Sequence, residues 1–241
     1  MVSRSFAAFS RICAVAALVI LGTTAVVQVT LAAPSAAAGS TVALLAWGDN
    51  SLGQLGDGTS GGSSDTPDAV SLPAGVTPVA IAGSGGGGDP APSDWAAYAI
   101  GSDGKLYAWG DNSSGELGNG GTTSSDTPVV VSLPAGVTPT AVSAAQGAAY
   151  AIGSDGNLYA WGTNAYGNLG DGETSDSDTP VVVSLPSGVT PTAVSGGYES
   201  AYAIGSDGNL YAWGDNFYGE LGDGSTAALS ETPVVVSLPP G

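Results

Sequence analysis

The chain of 241 residues has no histidine, one cysteine, three basic side chains and three phenylalanines. Without histidine there is no Ser-His-Asp or Cys-His catalytic device and no metal site built on imidazole. The cysteine is Cys13, inside an N-terminal apolar segment, so the remainder has no disulfide, thiolate ligand or thiol nucleophile. Stability has to come from packing. The basic residues are Arg4, Arg11 and Lys105, set against 21 acidic ones for a formal net charge of −18. Such a surface repels phosphate backbones, so no nucleic-acid partner is expected; it favours basic partners or divalent cations, and it also keeps a lysine-poor protein soluble. What the chain does have is 39 glycines and 15 prolines among 43% hydrophobic residues, a composition that suits many short strands joined by turns.

Arg4 and Arg11 precede an apolar run, Ile12 to Leu21, which continues more weakly to Ala33 and is followed by Ala36-Ala37-Ala38. A positive flank, an apolar core and small residues at a cleavage site are the pattern of a secretory signal peptide, here residues 1–38, and place the chain outside the cell or on its surface. The alternative is an uncleaved anchor, since Ile12 to Ala33 approaches the roughly 20 residues that span a bilayer. No adjacent arginine pair points to twin-arginine export.

From Gly39 onward one unit is written repeatedly. The frame W-G-x-N-x-x-G-x-L-G-x-G starts at Trp47, Trp109, Trp161 and Trp213. A period of about fifty residues indicates propeller blades or another stacked array. The repeats divide as 39–79 (partial), 80–139 (with a glycine-rich insert), 140–191 and 192–241. The last contains four strand-length apolar runs, Thr192 to Ser195, Ala201 to Gly205, Leu210 to Trp213 and Pro233 to Leu238. Between the second and third lies Ser-Asp-Gly, which predicts a type I′ hairpin and makes Asp103, Asp155 and Asp207 turn residues rather than catalytic ones. The Leu-Pro linkers at Leu72, Leu133 and Leu185 are barred from central strands by proline and should cross the surface. Val129 to Val131, with copies at Val181 and Val234, reads as a strand apolar on both faces. The expected fold is all-β, a β-propeller of four-stranded antiparallel blades.

The frame resembles the regulator of chromosome condensation repeat, the blade unit of a seven-bladed β-propeller. That family's loop consensus, W-G-x-N-x-x-G-Q-L-G-x-G, is matched at all four sites, with Gln54 retained and Glu116, Asn168 and Glu220 in its place elsewhere. The other half of the family repeat, V-S-x-G-x-x-H-S, is similar to Val194 to Ser200, with Ala96, Ala148 and Ser200 standing where the family has histidine. The namesake is a nuclear nucleotide-exchange factor that docks on chromatin; for an exported acidic chain no nucleotide-exchange partner is expected.

Counting from Leu44 gives 14 strands, or three and a half blades. Two copies would hold 28 strands, so a homodimer completing a seven-bladed ring is one expectation; a fragment of a longer repeat protein, or an open array, is the other.

Residues that vary inside the fixed frame are the candidates for contact with a partner: Trp95, Tyr166, Tyr198, Glu199, Phe217 and Tyr218. No catalytic residue and no cofactor is assigned. Asp171, Glu173, Asp176 and Asp178 concentrate oxygen ligands and are weak calcium candidates, without the spacing of a known calcium loop. The function expected is a non-catalytic binding or scaffold module that presents propeller loops to an extracellular protein or glycan. The alternative is a glycan hydrolase working through paired carboxylates.

Overall fold

The computed structural model describes residues 17–21, 25–29, 43–84 and 95–239, and among them the protein is all β. The first sheet holds β1 (Ala17–Leu21), β2 (Ala25–Val29), β3 (Leu45–Asp49) and β4 (Ser63–Ala69), and the second β5 (Pro78–Gly83), β6 (Ala96–Gly101), β7 (Leu106–Gly110) and β8 (Ser125–Val130). The third holds β9 (Pro139–Ala144), β10 (Ala148–Gly153), β11 (Leu158–Gly162) and β12 (Ser177–Val182). The fourth holds β13 (Pro191–Gly196), β14 (Ser200–Gly205), β15 (Leu210–Asp215) and β16 (Leu229–Val235). Each sheet is an antiparallel meander in chain order, a propeller blade. The repeats themselves build three and a half blades. The other half of blade 1 comes from β1 and β2, inside the segment read as an export leader, so the described strands number 16 rather than 14.

The sequence folds this way because the central strands are apolar on both sides, with bulk and smallness alternating. In blade 3, Ala149 pairs with Trp161, Tyr150 with Ala160, and Ala151 with Tyr159. Tyr150, Ile152, Leu158 and Ala160 therefore face blade 4, where they pack on Ala201, Ala203, Tyr211 and Trp213. On its other side blade 3 turns Ala149, Ala151, Tyr159 and Trp161 toward Tyr98, Ile100 and Leu106 of blade 2. Each boundary thus sets large residues of one blade against alanines of the next, which keeps the blades evenly spaced. The first strands of neighbouring blades touch one another, β5 against β9 and β9 against β13, and mark the inner side of the array.

Two sequence expectations change. The fourth strand is not apolar on both faces: it is the outer edge, and Val130, Val182 and Val235 stand 46 to 48% exposed. It also begins earlier than expected, at Leu229 in the last repeat, because Pro233 sits beside the register shift of an edge strand, where no ladder donor is required. The Ser-Asp-Gly turn is not a two-residue type I′ hairpin. Gly104 N–H donates to Gly101 O (2.9 Å) and Gly101 N–H to Lys105 O (2.9 Å), with Gly104 at φ +76°, the pattern of a three-residue loop closed by a left-handed glycine.

Asp103, Asp155 and Asp207 are structural, as their turn position implied. The Tyr211 hydroxyl donates to Asp207 Oδ2 (2.7 Å), and the same tie joins Tyr107 to Asp103 and Tyr159 to Asp155. The Tyr211 hydrogen bond, opposed by slight desolvation and aided by Asn209, holds the Asp207 carboxyl below its usual range. A carboxyl lowered by folding stabilises the fold above its unfolded pKa, and that contribution disappears as pH falls through the folded value. In Tyr211→Phe, Asp207 should titrate at higher pH by carboxyl carbon NMR, and acid destabilisation should begin earlier; an unchanged titration would exclude the hydrogen bond as its cause.

Because strands run alternately up and down, the loops joining first to second and third to fourth strands share one end of every blade. The Ser-Asp-Gly turns and the Leu-Pro linkers share the other, clasped together where Thr77 N–H donates to Ser102 Oγ (3.0 Å) and Ser102 N–H to Thr77 O (2.8 Å). Lys105 lies at this second end, paired with Asp103 at 3.6 Å.

Candidate binding face

The tryptophan loop connects the third and fourth strands, and its asparagine holds it in shape. In blade 3, Asn164 is fully buried; its Oδ1 accepts from Leu169 N–H (2.9 Å), while its Nδ2 donates to Glu173 O (3.0 Å), Ser175 O (3.1 Å) and, more weakly, Asp171 Oδ1 (3.3 Å). Asn50, Asn112 and Asn216 repeat the scheme in their own loops, as the sequence implied for Asn216. The position that varies among Gln54, Glu116, Asn168 and Glu220 works in two ways. Its side-chain oxygen caps the N–H two residues earlier, at 2.8 Å from Leu52, Ser114 and Tyr218 and 3.1 Å from Tyr166. Its backbone carbonyl accepts the indole N–H of the next blade: Trp109 on Gln54 O (2.9 Å), Trp161 on Glu116 O (2.8 Å) and Trp213 on Asn168 O (2.8 Å). Any residue with an acceptor oxygen serves the first role and the backbone serves the second, which explains the substitutions.

That rigid frame displays its variable residues at one end of the blades. Phe217 and Tyr218 are 70% and 86% exposed and meet edge to face, with ring centroids 4.9 Å apart. Tyr198, 52% exposed, lies at the same end in the loop before β14, and Tyr166, 40% exposed, occupies the place of Tyr218 in blade 3. Glu199 is half-buried, its carbonyl accepting Asp215 N–H (2.8 Å). Burial first, then the charges of Asp215 and Glu220, push its carboxyl above the usual range. Three carboxylates therefore crowd the base of the aromatic pair.

Trp95 is half-buried at the same end of blade 2, where its carbonyl accepts Asp111 N–H (2.9 Å). It lines an open cleft of about 620 Å³ with Asp49, Ser51, Ser64 and Asp65 of blade 1. Most of the glycine-rich insert before it, 85–94, lies outside the described residues. All six predicted contact residues thus fall on one face, though only Phe217 and Tyr218 form a ring pair. Asp215 and Glu220 were not singled out in the sequence as part of this cluster. The signal was available, because the antiparallel meander puts their loop and that of Glu199 at the same end. The calcium candidates do not converge: Asp171 and Asp176 accept amide protons around Asn164, and no group of three acidic side chains among the described residues is arranged to hold a metal.

Residues 103–152, 155–204 and 207–241 match the Regulator of chromosome condensation (RCC1) repeat, more than half of the chain. The chain belongs to the RCC1 repeat family. Human HERC2, an E3 ubiquitin-protein ligase, is 33% identical to it over 203 residues, which is 83% of this chain but 4% of HERC2. Among solved structures, human WBSCR16 superposes with a TM-score of 0.73 at 19% identity, over 96% of this chain and 55% of that one. Yeast RCC1 (Prp20), solved with Kap60 bound, gives 0.72 at 20% identity, over 96% of this chain and 50% of that one. The chain therefore spans about half the length of these two solved chains and a small part of HERC2. RCC1-type repeats form a binding, scaffold or regulatory kind of module, and the four blades agree with that architecture.

Proposed function

We propose that this chain is a non-catalytic binding module that works outside the cytoplasm and uses its tryptophan-loop face to hold a protein partner rich in lysine or arginine. The observation that carries the reading is the pairing of exposed Phe217 and Tyr218 with the carboxylates of Glu199, Asp215 and Glu220 at their base. Lys105, the one basic side chain after the leader, is bound at the opposite end of its blade. Aromatic anchors supply contact area, and carboxylates crowded with no cationic side chain beside them among the described residues gain most from an incoming cation. Yeast RCC1 (Prp20) bound to Kap60 supports a protein as the kind of partner. The positive flank, apolar run and alanine cluster of residues 1–38 support export, with the mature chain beginning at Gly39 and blade 1 then keeping β3 and β4.

The test is binding of the secreted protein to arrays of basic and neutral peptides and to neutral oligosaccharides. Basic peptides should bind with an affinity that falls as salt rises, and the Phe217→Ser/Tyr218→Ser double variant should lose about tenfold or more. Salt-independent binding of an oligosaccharide would replace this partner with a glycan. Glycan turnover abolished by Glu199→Gln would overturn the binder reading altogether. N-terminal sequencing of the protein from the medium should read from Gly39.

A further inference from the structure

Three of the four tryptophan loops end on aspartate followed by glycine, and blade 2 departs from the pattern. The pairs are Asp57-Gly58, Asp171-Gly172 and Asp223-Gly224, where blade 2 has Asn119-Gly120. The side chain does the same work in all four. Its Oδ1 accepts the N–H two residues on, from Thr59 (2.9 Å), Gly121 (3.2 Å), Glu173 (3.1 Å) and Ser225 (2.8 Å). Asn119 Oδ1 also accepts weakly from Asn112 Nδ2 (3.4 Å), as Asp171 Oδ1 does from Asn164 Nδ2 (3.3 Å). Both neighbours are donors, so an aspartate suits this place better than an asparagine, because hydrogen bonds to a charged acceptor are the stronger ones. At Asp223 the Ser225 N–H, and after it the Ser225 hydroxyl, hold the carboxyl below its usual range.

Asparagine before glycine is also open to attack by its own backbone, since glycine has no Cβ to shield its nitrogen. Asn119 is exposed, and no other asparagine in the sequence precedes glycine. In that reaction the Gly120 nitrogen bonds to Asn119 Cγ, the bond from Cγ to the side-chain nitrogen breaks, and ammonia leaves with the proton that Gly120 gives up. Water then opens the cyclic imide. Addition at Cγ leaves aspartate; addition at the main-chain carbonyl leaves isoaspartate, with the chain now running through Cβ and Cγ. One water is consumed and one ammonia released, and no oxidant or cofactor takes part.

What restrains the attack is the blade boundary. Gly120 N–H donates to Asp178 O of β12 in blade 3 (2.9 Å), as Gly58 N–H does to Asp126 O (2.9 Å) and Gly172 N–H to Glu231 O (3.0 Å). While that bond is made, the nitrogen is held by its proton to the next blade. Attack therefore waits on local opening of the boundary.

We infer that Asn119 is a self-modification site, converted to aspartate and isoaspartate at a rate set by opening of the boundary between blades 2 and 3. Aspartate completes the pattern of the other three repeats and adds a negative charge at the same end of the blades as Phe217 and Tyr218. Isoaspartate lengthens the main chain ahead of Gly120 and draws its N–H off Asp178 O. A molecule that takes that course loosens the boundary that had protected it.

The test is incubation of the full chain in mildly alkaline buffer, followed by chymotryptic digestion, mass spectrometry and chromatographic separation of the two products. The peptide carrying Asn119 should gain the mass of an amide-to-acid conversion, while peptides carrying the other asparagines stay unchanged. Trp161→Phe removes the indole hydrogen bond to Glu116 O at this boundary and should raise the rate about fivefold. Trp213→Phe removes the equivalent bond between blades 3 and 4 and should leave the rate as it was. Protein unfolded in urea should react fastest of all. An Asn119 peptide that keeps its mass in the unaltered chain would overturn the proposal. Equal rates in the unaltered chain, in Trp161→Phe and in urea would overturn control by the blade boundary.

Discussion

Trp161→Ala should split the unfolding of this protein into two transitions. The indole is fully buried, donates to Glu116 O across the blade boundary at 2.8 Å, and meets Tyr98 edge to face at 6.1 Å. Truncating a buried tryptophan to alanine costs about 3–5 kcal/mol, a large part of the 5–15 kcal/mol that a domain commonly has. Here the loss falls on one interface. A stacked array is coupled mainly through nearest-neighbour contacts, so weakening the boundary between blades 2 and 3 should free blades 1 and 2 to unfold apart from blades 3 and 4. Urea denaturation followed by circular dichroism reads this as a broadened or two-step curve. Trp161→Phe separates packing from the hydrogen bond: it keeps most of the apolar area, and Glu116 O still accepts Tyr98 Oη–H at 2.7 Å, so the cost should be near 1 kcal/mol. A single sharp transition in Trp161→Ala, displaced no further than in Trp161→Phe, would show that the indole does not join the blades.

The blade was legible in the sequence because its signals are local and repeated. Period, Asp-Gly turns, prolines and strand-length apolar runs each report on neighbouring residues, and four copies make their coincidence hard to miss. What lay hidden was the reason for the glycines. Gly56, Gly118 and Gly170 look like ordinary turn residues, and their positive φ supports that; the stronger constraint is an indole from a blade some fifty residues further on, which no local pattern reveals. The same is true of Glu116 and its counterparts, whose backbone carbonyl is the acceptor, so that side-chain chemistry could not announce the contact. The outer strand was misjudged for a related reason. Val129, Val130 and Val131 are apolar alike, and only the position of β8 at the sheet edge makes Val130 exposed while Val131 is buried. On the candidate face, the aromatic residues were found from their variation within a fixed frame. The carboxylates beneath Phe217 needed the meander to bring two separate loops to one end.

The loops of that face depend on a buried amide, and Asn164→Asp should show how much. The substitution is nearly isosteric, so it opens no cavity, and Oδ1 can still accept from Leu169 N–H. The other side-chain atom changes from a two-proton donor into an acceptor, and it faces Glu173 O, Ser175 O and the Asp171 carboxylate. Three lost hydrogen bonds become three oxygen–oxygen repulsions in a site closed to water, where an unsatisfied neutral group already costs about 1–3 kcal/mol and a charged one more. We expect blade 3 to lose its loop at neutral pH, with amide exchange rising across 165–176. The pH dependence identifies the cause. Burial among acceptors would raise the new carboxyl above its unfolded value, so the penalty should be greatest at neutral pH and shrink as the solution is acidified and the group takes up a proton. In Asn164→Ala, which loses the same donor and introduces no charge, the penalty should stay nearly constant over the same range. A flat pH profile for Asn164→Asp would mean that water reaches the loop interior, and that the rigidity of the binding face rests on the glycines and the interblade indole instead.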